Sequence, residues 1–235
     1  YDNEIKTEID KGVSDHTIIV SGTSENTYGN NDTGLYETVT TIQLDNDITV
    51  DPDAVYVDAY WVNPENGNNI IVDPSDITVD GNSVMIKWGE DTNGVTDLTL
   101  YGYTLYYEIG GLTVGNFKEQ YENLVSVTGK LYSSGVATDK GVGDLGKQES
   151  YLEYKDIVIE KIWLDDNNSQ RKRPEIITVE LYREGTDDFI GAYDIPCETT
   201  ASSQTYTIPN VLVKDDNNTY TYYIREVGSS GGAIK

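Results

Sequence analysis

Apolar and polar residues alternate with a period of two along most of this chain, the pattern of strands with one side in a core and one in water. The clearest case is residues 157–164. Ile157, Ile159, Lys161 and Trp163 share one side, and Val158, Glu160, Ile162 and Leu164 share the other. Similar runs occur at HTIIVSG, LYETVTTIQL, AVYVDAYWV, NIIVDP, SVMIKWG, TDLTLYGYTLYYEI and NLVSVTGKLYSSG, and later at EIITVELYREG, DFIGAYDI, SQTYTIPNV and NTYTYYIREV. Clusters such as PENGNN, VDGN, EDTNG and KDDNN interrupt them with the residue types that turns demand. Many short strands punctuated in this way predict an all-β chain of antiparallel sandwich or barrel type. The stretch NFKEQYENL at 116–124 is too short for a convincing helix and is predicted to be a loop entering a strand.

Residues 133–150, SSGVATDKGVGDLGKQES, have no apolar alternation and are rich in glycine, which predicts a linker or boundary loop. Charge density changes across it: residues 1–150 hold 7 basic and 26 acidic side chains, and residues 151–235 hold 9 and 15. The 235 residues therefore divide into a sandwich over 1–132, the linker, and a second domain over 151–235. That length suffices for proper hydrophobic cores.

Lys and Arg total 16 against 41 Asp and Glu, a formal net charge of −25. This sign repels phosphate backbones and anionic lipid, so nucleic acid and charge-driven membrane docking are excluded as partners. Solubility is the plain purpose of such acidity. No cofactor is expected beyond loosely held Ca2+ or another cation. DDNNSQ and DTNGVTD have the composition for that but not the glycine and glutamate spacing of an EF-hand. A single cysteine, Cys197, rules out an internal disulfide and is expected to be a small half-buried side chain. A single histidine, His16, rules out a histidine triad or zinc cluster. No run approaches the roughly 20 apolar residues of a membrane span. The opening YDNEIK has no leader character, and the chain reads as a segment of something longer.

Lys161 interrupts one apolar side, and Glu226 ends another, because Tyr220, Tyr222, Ile224 and Glu226 alternate together. An isolated buried charge is very costly, so such groups pair or neutralise. One reading is a half-buried salt bridge, or a lysine that snorkels to an edge. The other is chemical. Burial lowers a lysine's pKa and raises a glutamate's, leaving a nucleophilic amine beside a carboxylic acid. With an Asn or Asp side chain in reach, that amine displaces ammonia or water and ties two strands by an isopeptide bond.

The stretch EKIWLDDNNSQRKRPEIITVELYREG resembles the opening of a Cna-B-type domain, the repeat module of Gram-positive adhesins and pilins. Lys161, Trp163, the loop Asp165, Asp166, Asn167 and Asn168, then Lys172, Arg173, Pro174, Val179, Leu181, Tyr182 and Gly185 carry the likeness. The later YTYYIRE is similar to the family's Tyr-Thr-Val-x-Glu strand, so the resemblance spans roughly residues 155–227. It implies that Lys161 is the bond-forming lysine, that Glu226 is the catalytic glutamate, and that the acyl partner is an Asn or Asp on a closing strand. After Glu226 comes VGSSGGAIK, which contains neither. The closing strand and acyl partner are therefore expected outside this sequence. No completed bond is expected in the second domain, and its C-terminal edge should fray. REVGSSGG also departs from the family's Glu-Ala-Pro-x-Gly-Tyr box, which favours an adhesin stalk over a pilus shaft.

In the first domain, ETVTTIQLDNDITVDPDAVYVDAYWV and YENLVSVTGKL resemble stretches of pilin-type isopeptide domains. The resemblance implies an immunoglobulin-like sandwich, with Thr41 or Gln43 standing where the family's catalytic Asp belongs. Asn123 shares a side with Val125 and Val127 and is a candidate acyl partner for Lys6 or Lys11. Lys6 alternates with Glu4, Glu8 and Asp10 as a solvated face would, and Asn123 also suits a hydrogen-bonded core amide. The chain as a whole is thus expected to be two tandem Ig-like/Cna-B-like β-sandwich domains.

The expected role is structural. The likeness implies a stalk or backbone segment of an extracellular, cell-wall-anchored Gram-positive surface protein, with neighbouring modules of the same protein as partners. Catalysis would be one self-directed turnover, so the chain is not expected to be an enzyme. Two other readings stand beside this one. The first domain could bind a host extracellular-matrix protein or glycan, through tyrosines among Tyr101, Tyr103, Tyr106 and Tyr107. Alternatively, both domains could be accessory modules of a secreted hydrolase.

Overall fold

The computed structural model describes residues 1–27, 33–88, 101–114, 119–133, 136–216 and 218–230. DTNGVTD, the start of TDLTLYGYTLYYEI and the last residues after Ser230 fall outside them. The chain forms two compact units. One comprises Tyr1–Leu152 with Asp215 and Asp216, and the other Glu153–Lys214 with Asn218 onward.

The first unit is built from two sheets. One has the order β1 (Asp2–Asp10), β2 (Ser14–Glu25), β9 (Thr104–Val114), β5 (Tyr56–Val62) and β6 (Asn69–Ile71), with β4 (Ile48–Val50) also on β9. The other runs β11 (Val136–Ile162), β10 (Gln120–Ser133), β3 (Thr33–Gln43), β8 (Ser83–Lys87) and β7 (Ile77–Asp80). The pairings β1–β2, β2–β9, β5–β9 and β3–β10 are antiparallel. Period-two alternation puts Ile5, Ile9, Ile18, Val20, Leu105 and Ile109 inward from the first sheet, and Ile42, Val84, Ile86, Val125 and Val127 inward from the second. Each fully buried side chain of this kind contributes about 1.5–3 kcal/mol. Trp88 is completely buried, 6.4 Å from Trp61 and edge-on to Tyr1.

Two sequence expectations need correction here. Residues 136–150 are not a linker; they are the first part of β11. The described side chains from 136 to 149 are exposed or half-buried, so this stretch needs no apolar face, and pairing with β10 holds it. One of its glycines serves geometry. Gly146 has φ +64, and a Cβ there would lie 2.3 Å from the Tyr1 carbonyl. Asn3 Nδ2 fastens the same spot, donating to Leu145 O (2.9 Å) and Gly146 O (2.8 Å). Tyr107 is also not solvent-facing; it is buried, and that burial raises its pKa. Its ring lies over Gly22, and its hydroxyl donates to Glu4 O at 3.2 Å.

The second unit pairs β11 from Glu153 onward with β14 (Ser203–Lys214). Its other sheet has the order β13 (Phe189–Pro196), β12 (Ile176–Arg183) and β15 (Tyr222–Ser230). Ile159, Ile177, Val179, Leu181, Ile195, Ile208 and Val211 form its core. This core is small. On β15, Ile224 faces it while remaining well exposed.

A Cβ at Gly22 would lie 2.1 Å from Glu4 O and 2.4 Å from Tyr107 Oη. Gly22→Ala should therefore destabilise the first unit by about 1–3 kcal/mol. Urea denaturation should show its transition moved to lower denaturant and that of the second unit unmoved.

Candidate functional site

Lys161 and Glu226 meet across the second unit. Lys161 comes from β11 in one sheet and Glu226 from β15 in the other, and Nζ lies 2.7 Å from Oε2. Alternation along β11 aims Lys161 inward with Ile157, Ile159 and Trp163, while Val158, Ile162 and Leu164 point to solvent. On β15 a register shift opposite Thr178 and Val179 places Glu226 beside Val179. The pair sits at the mouth of a cavity of about 70 Å3 lined mainly by Ile159, Ile177, Val179, Ile195 and Ile224.

Of the two readings of the sequence, the geometry is that of the half-buried salt bridge and not of a pair enclosed in the apolar interior: the side chains keep 28% and 47% of their surface in solvent. From Glu153 to Ile162, β14 is the strand whose register with β11 is set among the described residues. A pair this exposed is an ordinary surface ion pair in energetic terms, worth little by itself.

The residues around Lys161 explain the motif that follows it. Trp163 is held between two cations, with Lys161 Nζ 4.9 Å and Arg173 Cζ 4.7 Å from its ring centre. Arg173 is locked in place. It forks onto Asp165 with both contacts at 2.6 Å, and its third nitrogen donates to Glu198 O (2.9 Å) and Ala201 O (2.7 Å). Only 2% of its side chain is exposed. The loop between them turns through Asp166, Asn167 and Asn168, all at positive φ, where Asn and Asp are the best-tolerated residues after glycine. Asn168 Oδ1 accepts the Arg173 N–H at 3.0 Å, closing the loop on itself. DDNNSQ is thus a structural turn built to present Asp165 to Arg173. Among the described residues, no group of three or more His, Cys, Asp or Glu could hold a metal.

Cys197 lies half-buried near this pair, and burial pushes its thiol pKa up. A thiol held protonated in this way is a poor nucleophile, so the amine is the reactive candidate here.

In the first unit, Asn123 is completely buried, as expected for an inward residue. The amine expected beside it is not there. Lys6 and Lys11 are exposed, because on β1 the inward positions are Asn3, Ile5, Thr7 and Ile9. Thr7 occupies the inward place and accepts from Asn123 Nδ2 at 2.9 Å. Its hydroxyl is 2.6 Å from Ser150 Oγ, and Asn123 Oδ1 accepts the Asp45 N–H at 2.8 Å. Thr41 and Gln43 are half-buried on β3, and Thr40 points inward instead, bonding Trp88 Nε1 at 2.8 Å. Asn123 therefore serves as a satisfied core amide. The period-two pattern of β1 could have shown Thr7 as its inward partner, but a threonine carries no charge to attract notice.

Asn123→Ala should leave the Thr7 hydroxyl and the Asp45 N–H without this partner and lower the first unit's stability by about 1–3 kcal/mol, measured by urea denaturation. In the second unit, the Arg173 hydrogen bond holds the Asp165 carboxyl below the usual carboxylate range. Its folded pKa lies below its unfolded one, so the stabilisation is complete at neutral pH. It is lost as pH falls from the unfolded value of about 3.9 through the folded one. Thermal melts across that acid range should show the wild type losing stability more steeply than Asp165→Asn.

The fold has known relatives among solved structures, though no curated protein matches the chain in sequence. The Actinomyces fimbrial adhesin FimA superposes with a TM-score of 0.56 at 12% identity, covering 100% of this chain and 92% of FimA. Domains D2 and D3 of the major pilin SpaD from Corynebacterium diphtheriae give 0.54 at 16% identity, covering 98% and 84%. Full-length SpaD gives 0.58 at 15%, and this chain spans 57% of it. At such identities the likeness establishes a shared all-β sandwich architecture. Residues 157–232, which carry Lys161, the Asp165–Arg173 fork and Glu226, match the Cna protein B-type domain family.

Proposed function

We propose that this chain is a stalk segment of a Gram-positive surface protein, extracellular and anchored to the cell wall, whose second unit is locked by an isopeptide bond from Lys161. The observation that carries the reading is the 2.7 Å contact of Lys161 with Glu226 at an apolar cavity. The Cna protein B-type match and the pilin and fimbrial architecture of the superposed proteins support it. Its partners are neighbouring modules of the same protein or polymer.

As an ion pair, neither group reacts, because an ammonium has no lone pair to offer. A closing strand laid along the open edge of β11 would cover both head groups. Desolvation then favours the neutral pair, with the proton moved from Nζ to the carboxylate. The free amine attacks Cγ of an Asn on that strand, and the protonated Glu226 hydrogen-bonds the carboxamide oxygen. The Nζ–Cγ bond forms and the Cγ–Nδ2 bond breaks. Glu226 relays the second amine proton to the departing nitrogen, which leaves as ammonia; with Asp in place of Asn, water leaves. A tie of this kind cannot be reduced as a disulfide can, and it shortens the length over which the domain extends under load.

The intact mass of a longer protein that includes the following strand tests this. The expected result is a deficit of one ammonia, or one water, that disappears in Lys161→Ala. Glu226→Gln should fold and acquire the deficit far more slowly. A wild type of full mass, folded and with its closing strand present, overturns the reading.

A further inference from the structure

The outward side of the first unit's larger sheet carries a feature that a stalk does not need. On β5 the outward residues are Tyr56, Asp58 and Tyr60, and on β9 they are Tyr106 and Glu108. The register sets Asp58 directly opposite Glu108 and Tyr60 directly opposite Tyr106. Two carboxylates facing each other on neighbouring strands are destabilising. Among the described residues, neither has an ion-pair partner; Glu108 accepts only the Tyr56 hydroxyl, at 3.2 Å. Asp58, Glu108 and Asp10 together contribute to raising the pKa of Tyr56, behind its partial burial. The tyrosine rings of Tyr60 and Tyr106 are stacked 5.2 Å apart and nearly parallel.

This groove, where Glu4, Asp58 and Glu108 outnumber the single base Lys6 beside Tyr60 and Tyr106, runs into an apolar one, sharing Asp58 and Tyr60 with it. The apolar part is lined by Val57, Pro74, Ile77 and Val79, and Ile71 on its rim is 75% exposed. The sheet edge between them is open. β6 pairs with β5 only from Tyr60 to Val62, and Val72 adds one backbone bond to Ala59. From Tyr56 to Asp58 no strand lies on that side among the described residues.

We propose that the open edge of β5 is a docking site for an extended segment of alternating aliphatic and basic residues. Its backbone would add to the sheet edge at Tyr56–Asp58. Aliphatic side chains would fill the Val57–Val79 groove. The basic ones would cross to Asp58 and Glu108, with their stems along Tyr60 and Tyr106. Charge decides for a cationic partner over a neutral glycan. Three carboxylates against the one Lys6 leave the groove net negative, a sugar hydroxyl brings no cation, and the tyrosines already spend one face on each other. The unit's 26 acidic against 7 basic side chains within residues 1–150 also steer a cation in.

Fluorescence anisotropy on the full chain tests this, using a labelled peptide that alternates valine and arginine, and the same peptide with citrulline for arginine. At physiological salt the arginine peptide should bind at least about tenfold tighter than the citrulline one. Asp58→Asn with Glu108→Gln should weaken it by a similar factor. Glu119→Gln with Glu122→Gln, an equal charge change at exposed sites on β10 and just before it, should leave it within about twofold. Because it relieves repulsion, the Asp58/Glu108 double variant should also melt at a higher temperature than wild type. The proposal is overturned if both double variants weaken binding equally, if citrulline binds as well as arginine, or if the Asp58/Glu108 variant melts lower. Binding of neutral N-acetylated oligosaccharides that Tyr106→Ala abolishes, with the arginine peptide unbound, would replace it with a glycan site.

Discussion

One ion pair joins the two sheets of the second unit. Lys161 reaches from the β11–β14 sheet and Glu226 from the β13–β12–β15 sheet, and they touch beside the small core. A lysine and a glutamate placed here sacrifice apolar packing at two inward positions of a domain with little core to spare. At their present exposure the Coulombic return is slight. Stability alone does not explain the arrangement. The proposed isopeptide chemistry would account for it, because the same contact would become a proton-transfer pair if water were excluded.

The first unit answers the corresponding geometric problem without charge. Thr7, Asn123 and Ser150 form a buried chain of neutral hydrogen bonds, with the Asp45 N–H closing one end. Asp216 supports the same region, accepting from the backbone N–H groups of Thr7 at 2.8 Å and Tyr151 at 3.0 Å. Neutral groups with full hydrogen bonding can be buried at modest cost, whereas an amine there would need a carboxylate or would have to deprotonate. The two units thus share an all-β plan but differ in what crosses their interiors.

What the sequence disclosed follows from what has a period. Strands with one buried side, such as β12 and the later part of β11, announce themselves, and so does a lysine on an apolar stripe. The early part of β11 did not. The described side chains between 136 and 149 are exposed or half-buried, so no alternation marks them, and Gly146, needed for close approach to Tyr1, looks like the glycine of a flexible linker. Thr7 is an uncharged residue between charged neighbours, and only the burial of β1 shows that it points inward while Lys6 and Lys11 lie on the solvent side. The motif residues of the Asp165–Arg173 loop were visible, but their purpose was not. A run of Asp and Asn reads equally well as a solvated turn or a cation loop until coordinates show that one carboxylate is committed to a guanidinium.

That commitment bears on the site itself. Arg173 spends its charge on Asp165 and its remaining donors on two carbonyls, so it can lie against Trp163 without competing for Glu226. Trp163 in turn offers its other contact to Lys161, and a ring face stabilises the ammonium form. In the open site Lys161 thus touches both the indole and the glutamate. Reactivity must come from whatever removes water from the pair, because desolvation is the term that penalises two charges and spares two neutral groups. If the proposed isopeptide bond forms, it must therefore follow the exclusion of water from this pair, so on that reading the electrostatics set the order of folding and bond formation.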